Sequence, residues 1–290
     1  MSSTVVDATA PLVAGSAARA QGAWGRARIE VAAGSIFLLV LILWGAFGYL
    51  PYSPVRTDPA AVLLAPSGAH WLGTDNVGAD VLSRVIRAAA TDLPLALAGT
   101  AAALVVGVPL GLLLSSSRNW GERGMRVLDG FQALPLLVLV LALVALSGNN
   151  ILMVPVAVAI YGAPVYIRLV RSQVLTLRES RFVEAARAAG AGPGRIIRRH
   201  LLPNIVEVVL AQTSLVAAGA LLAIAALSFL GIGVEPPTVS WGSMIAGGQD
   251  ALVQGNWWPV VAPGAAIFVC VMVLNLVADG LRKLAEGSAK

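Results

Sequence analysis

Between Glu184 and Asn204 the chain reads EAARAAGAGPGRIIRRHLLPN, so Arg187, Arg195, Arg198, Arg199 and His200 sit in a short basic segment between long apolar runs. These residues can bind, but they do not form a catalytic set. A zinc hydrolase needs closely spaced histidines with a glutamate, and the only histidines are His70 and His200. A phosphate loop needs glycine-lysine followed by serine or threonine, and neither Lys283 nor Lys290 follows a glycine. No Gly-x-Ser-x-Gly occurs, and the lone Cys270 lies in an apolar run where a thiol usually serves packing. The chemistry that remains is recognition of a partner or of a surface.

The spacing predicts two short helices in this segment. Phe182, Val183, Ala186 and Ala189 recur at three- and four-residue steps, which gives one apolar face. Glu184 and Arg187 are three apart and within pairing reach. Gly190 is placed to end the first helix in the left-handed conformation. Pro193 suits the first turn of a second helix, and Pro203 is expected to close it. Two uses are open to such a segment: resting on anionic headgroups, or docking a protein against the small alanines of its surface.

The surroundings are those of a membrane protein. Of the 290 residues 58% are hydrophobic and 12% charged, whereas soluble domains carry about a quarter charged residues. The reading is an all-α integral membrane protein with six transmembrane helices, near 29–50, 93–115, 129–147, 151–170, 205–230 and 258–281. Residues 1–28 read as a disordered cytoplasmic tail and 29–50 as a first helix that is retained rather than cleaved. Residues 51–92 read as an external segment with an amphipathic helix. Residues 93–284 read as a five-helix core that includes loops 178–204 and 231–257, and 285–290 as a second tail. With both termini inside, only Arg56, Arg84 and Arg87 of the 20 Arg and Lys lie outside, which favours cytoplasmic termini and a cytoplasmic 184–204 segment. GVPLG, Gly107 to Gly111, has the small-xxx-small spacing that lets helices approach closely.

Three stretches resemble one family. EAA at Glu184–Ala186, then Gly190, then Leu202–Pro203 is similar to the EAA loop of permease subunits of bacterial ABC importers. HWLGTDNVGADVLSRV, His70 to Val85, and LSFLGIGVEPPTVSWGSMI, Leu227 to Ile245, resemble the external segments of the peptide and nickel branch, in its C-type subunit. Three positions depart from the pattern: Ala79 stands where an arginine is usual, and Trp71 and Val239 where prolines are.

The resemblance implies the type I importer permease fold in a bacterial plasma membrane. It also implies a homologous B-type permease as partner, two cytoplasmic ATPases that hold ATP and Mg, and an external substrate-binding protein. No cofactor or metal is bound by this chain, and no nucleic acid is a partner. The implied solute is a short peptide, with nickel, haem or another small molecule as the alternative. Glu184, Ala185, Ala186, Arg187, Gly190, Leu202 and Pro203 become the coupling site, where Arg187 is open to pairing with Glu184 or with an acidic residue of the ATPase. Gly231, Gly233, Pro236, Pro237, Trp241, Asp75 and Asp80 become the external gate or binding-protein contact. Asp58, Asp92, Glu235 and Asp250 are read with them as external acids. Gln132, Gln212, Thr213, Ser214 and Asn275 are polar candidates for the path wall, or for bonding between helices. A secondary transporter would show buried acidic groups or repeated broken helices, and neither is read here.

Overall fold

The structure is a computed structural model that describes residues 10–133 and 135–288, with side chains described from 24 to 285 except at 118, 131, 136, 137, 139 and 145. Among these residues it is all helical apart from loops and one isolated bridge, Thr74 with Asp80. Eleven α-helices follow in order: α1 (Ala10–Phe47), α2 (Val81–Leu114), α3 (Arg118–Gln132), α4 (Leu136–Leu146), α5 (Met153–Arg178), α6 (Arg181–Ala188), α7 (Pro193–Ile196), α8 (Leu202–Phe229), α9 (Trp241–Gly247), α10 (Gln249–Val253) and α11 (Trp258–Ser288).

Among the described residues five stretches are long and apolar enough to cross a bilayer: Trp24–Phe47, Val81–Leu114, Met153–Arg178, Pro193–Phe229 and Trp258–Ala285. The third expected span, 129–147, is not a single helix. Gln132 ends one helix, Pro135 has no N–H to continue it, and α4 has only 11 residues. At 1.5 Å per residue α4 covers about 16 Å, roughly half of a hydrocarbon core. Two other boundaries also move. Helix α1 starts at Ala10, so 10–28 are helical where a disordered tail was expected; residues 1–9, like 289–290 of the second tail, lie outside the described residues. The expected amphipathic helix of 51–92 is the first third of α2, which enters the apolar stretch without a break.

Helix α2 lies along α5 as the most intimate pair, with α8 and α11 packed beside it and α1 against α11. The pairing is set by a stripe of small residues. A Cβ on Gly99, Gly107 or Gly111 would stand 2.6–2.8 Å from the side chains of Val158, Tyr166 and Val170 on α5. The GVPLG spacing therefore serves close helix packing. Two apolar cores result. One, toward α9, holds Leu221, Ile224, Trp241 and Leu274. The other, toward α6 and α7, holds Tyr166, Val170, Val174, Val183, Leu201 and Ile205. Outward-facing Ile36, Leu39, Val105 and Phe268 are exposed, as lipid-facing side chains must be.

Candidate functional site

The 178–204 segment is built from caps. Helix α5 stops at Arg178, and Ser180 takes extended backbone (φ −76°, ψ 145°) before α6. At the far end of α6 the Gly190 N–H donates to Arg187 O at 2.9 Å and the Ala191 N–H to Ala186 O at 3.0 Å. This is the Schellman pattern, and it needs the φ of +81° that Gly190 adopts. Gly192 then starts α7 with Pro193 in its first turn. Val183, Ile196 and Leu201 are buried under the segment and hold it to the ends of α2, α5 and α8.

Pro203 does not close the second helix. Instead α7 passes through a wide π-helical turn, Ile197–Leu201, directly into α8. That turn is where a proline, which cannot bond to the carbonyl four residues back, costs least. Leu202 and Pro203 are thus the first residues of a membrane helix, and Pro193–Phe229 is one continuous rod of 37 residues.

The segment presents two distinct faces. Glu184, Ala185, Ala188, Ala189 and Gly190 are exposed, while Ala186 is half-buried. Arg187 is exposed as well, at the edge of a cleft that it lines together with Ser116, Arg178, Pro193 and Ile196, and among the described residues it forms no ion pair with Glu184. Arg171 Nη1 donates to Leu114 O, and Arg178 Nη1 donates to Ser115 O at 2.5 Å. These two cations satisfy carbonyls at the C-terminal end of α2, where the helix dipole is negative.

The other end of the bundle is fastened by the acids expected to face a binding protein. Asp80 caps α2: its Oδ2 accepts from the Ser83 N–H at 2.8 Å and from Ser83 Oγ at 2.7 Å, while Oδ1 lies 2.9 Å from His70 Nδ1. Asp75 accepts from the Val77 and Ala79 N–H groups and pairs with Arg84 at 2.8 Å. Asp80 is 3% exposed and Asp75 9%. At Ala79 a backbone N–H is what reaches Asp75, and Arg84 supplies the ion pair to the same carboxylate.

Trp241 is wholly buried, so it is an anchor rather than an exposed contact. Its Nε1 donates to Val85 O at 2.9 Å and its N–H to Asp92 Oδ2 at 2.8 Å. Asp92 is accordingly not in a hydrated loop but 1% exposed inside α2, and its Oδ1 has no partner. This buried carboxylate went unseen because α2 starts 12 residues earlier than the apolar run suggested. Gly231 caps α8 with φ +75° in the same Schellman manner as Gly190, its N–H donating to Ser228 O and that of Ile232 to Leu227 O. Gly233 is buried and donates to Asn149 Oδ1 at 2.6 Å, whereas Pro236 and Pro237 are exposed.

Between α4, α5 and α8 lies a cavity of roughly 210 Å³, lined by Val140, Val158, Tyr161, Gln212, Gly219, Leu227 and other apolar residues. Of the five polar path candidates only Gln212 reaches it. Thr213 Oγ1 donates to Val209 O at 2.8 Å within its own helix. Ser214 is buried, and Gln132 and Asn275 are half-buried away from the cavity. Tyr161, the second polar group in the wall, carries no sequence signal beyond an aromatic in an apolar helix. Among the described residues no three His, Cys, Asp or Glu side chains gather as a metal site.

A capped amphipathic segment that runs directly into a membrane helix, with an apolar cavity farther along that helix, suits transport. Residues 80–289 match the family described as the binding-protein-dependent transport system inner membrane component. The chain belongs to that family. This importer permease is 37% identical to a di/tripeptide transport system permease protein of Pseudomonas aeruginosa, over 89% of this chain and 88% of that one. It is 36% identical to a probable D,D-dipeptide transport system permease protein of Escherichia coli, over 88% and 85%. It is 35% identical to a glutathione transport system permease protein of Pectobacterium atrosepticum, over 91% and 89%. Its fold is similar to that of the inward-facing MetNI methionine ABC transporter, with a TM-score of 0.58 and 18% identity over 68% of this chain and 94% of that one. The permease is thus a type I ABC importer subunit of the bacterial inner membrane. It is a transport component rather than an enzyme, in a family that serves binding-protein-dependent transport.

Proposed function

We propose that this permease carries short peptides along a path formed with a homologous B-type subunit, from an external binding protein to the cytoplasm. The observation that carries the peptide reading is the agreement among relatives at 35–37% identity, named for di/tripeptides, D,D-dipeptides and glutathione. The cavity supports it: a wall that is apolar apart from Gln212 and Tyr161 is a conduit that leaves selection to the binding protein.

The chain crosses the membrane six times in this reading, with residues 129–147, interrupted ahead of Pro135, making the third crossing. Both termini are cytoplasmic, as the placement of 17 of the 20 Arg and Lys favours. Two ATPases receive the coupling helices of the two permeases. Here the exposed face of Glu184, Ala185 and Ala188 docks, with Gly190 making the turn, and Ala186, Leu202 and Pro203 lock the segment to α8. Arg187 flanks the docked face. At the outer surface Pro236 and Pro237 meet the binding protein, while Gly231, Gly233, Trp241, Asp75 and Asp80 hold that loop in shape.

Tagging the chain and purifying it gently from native membranes tests the assembly. Co-purification of two ATPases and a second permease is expected, and recovery of the chain alone overturns the coupling reading. In vesicles holding the purified complex, labelled dipeptide uptake should depend on ATP and on the binding protein. Glu184→Arg should leave the chain inserted but abolish uptake. Uptake of dipeptide by neither vesicles nor cells, with nickel or haem taken up instead, would sink the peptide assignment.

A further inference from the structure

The cleft beside the coupling segment has no assigned occupant. It lies between the C-terminal end of α2, the end of α5 and the turn from α6 to α7, and has a volume of about 340 Å³. Arg178 and Arg187 both line it, close enough for their like charges to repel, and no carboxylate lines it. Arg178 spends one N–H on Ser115 O, whereas Arg187 is without a hydrogen-bond or ion-pair partner among the described residues. The guanidinium carries five donors, so most of the hydrogen-bonding capacity of the pair is unused. The opposite wall is apolar, made by Ile196, Ile197 and Leu201.

The setting supplies the missing chemistry. Helix α3 follows α2 after a three-residue turn and leaves Trp120 71% and Val127 73% exposed, seven residues apart on one face. Arg123 stands 5.9 Å from the Trp120 ring. An exposed tryptophan flanked by arginine marks headgroup depth. A cleft at that depth, cationic on one side and apolar on the other, matches a ligand with an anionic phosphate and an apolar stem.

We infer that the cleft between Arg178 and Arg187 binds the phosphate of an anionic phospholipid of the cytoplasmic leaflet, with the glycerol stem against Ile196, Ile197 and Leu201. The lipid would neutralise the paired arginines and fix the turn from α6 to α7 from behind, leaving the Glu184 face free for the ATPase. The inference rests on the cytoplasmic placement of this segment proposed above.

Native mass spectrometry of the purified complex, exchanged into phosphatidylglycerol or phosphatidylcholine, tests it. Wild type should retain phosphatidylglycerol in preference, and Arg187→Gln should lower that retention roughly fivefold, the share of one arginine near an anionic surface. Arg195→Gln, an equal charge change at an exposed arginine that does not line the cleft, should retain lipid as wild type does. Equal retention of both lipids, or equal loss in both variants, overturns the site. Displacement of the lipid by millimolar inorganic phosphate assigns the arginines to a free anion and overturns the lipid. Retention that disappears whenever the ATPases are bound assigns Arg187 to an ATPase carboxylate and likewise overturns it. Thiol labelling of Ala188→Cys in sealed spheroplasts separates the two readings. Labelling from outside removes the cytoplasmic placement itself, whereas protection combined with no lipid preference removes only the lipid site.

Discussion

Asp80 shows how much one carboxylate does in this chain. It caps α2 through Ser83, accepts from the Ser83 hydroxyl and holds His70, all at 3% exposure. Replacing it by alanine strips an N-cap, worth about 1 kcal/mol, and orphans buried donors at a further cost of about 1–3 kcal/mol. Asp80→Ala should therefore lower the melting temperature of the detergent-purified chain by several degrees, with Asp80→Asn falling between it and wild type because the amide keeps one acceptor. At Gly190 the reasoning is conformational rather than steric. An added Cβ meets nothing within 4 Å, but φ is +81°. Gly190→Val should cost about 1–2 kcal/mol of the cap, and Gly190→Asn clearly less, since asparagine tolerates the left-handed region. Trypsin cleavage at Arg187 and Arg195 in the valine variant should accelerate about tenfold, as 1.4 kcal/mol of local opening implies. An equal rate for valine and asparagine would mean that the Schellman cap does not hold the segment.

Among the elements, the α2–α5 pair is held at its spacing by small residues. A Cβ on Gly107 would lie 2.6 Å from Tyr166 Cβ and 2.7 Å from Ala163 O, and that backbone carbonyl cannot swing aside. Gly107→Ala should destabilise the purified chain by about 1–3 kcal/mol through overpacking. Gly219→Ala on α8, where nothing lies within 4 Å, should be neutral or stabilising by up to about 1 kcal/mol. Thermal unfolding of the two variants side by side decides it, and equal shifts would refute close packing at Gly107. This packing was legible beforehand, because small residues four apart in an apolar run mean one thing in lipid. So were the spans that became α5, α8 and α11, where long apolar runs leave the backbone no choice but helix. The split between α3 and α4 was not, since hydropathy alone does not register that Pro135 interrupts the ladder. The start of α2 was missed for a related reason: Asp80, Arg84, Arg87 and Asp92 look like loop residues until Asp80 is seen as a cap and Asp92 as the acceptor for Trp241. In the 178–204 segment Gly190 and the Glu184 face could be read from spacing. Arg187 could not, because helical angle alone does not say which flank meets a cleft.

At the scale of the whole molecule, the coupling role proposed for α6 raises the question of how a push there would reach the cavity. The continuous helical stretch from Pro193 to Phe229 offers a route: α7, the π-helical turn and α8 follow one another without a break, and α8 carries Gln212, Gly219 and Leu227 into the cavity wall. A lever works only if it is stiff at the joint, and the joint is the stretch Ile197–Leu201. Ile197 and Leu201 are packed there, but Arg198 and Arg199 are exposed, so their side chains can be changed without opening the core. Two glycines at these positions would weaken the helix by about 2 kcal/mol relative to two alanines, while both pairs remove the same two charges. The complex with Arg198→Ala and Arg199→Ala should hydrolyse ATP and take up dipeptide much as wild type does. With Arg198→Gly and Arg199→Gly it should still assemble and hydrolyse ATP, yet take up several-fold less peptide per ATP, because closure of the ATPases would bend the joint instead of moving α8. If both double variants lose uptake alike, the arginines act through their charge at the membrane surface. If neither does, motion reaches the cavity along α5 from the other side of the segment, and the rod is a scaffold rather than the lever.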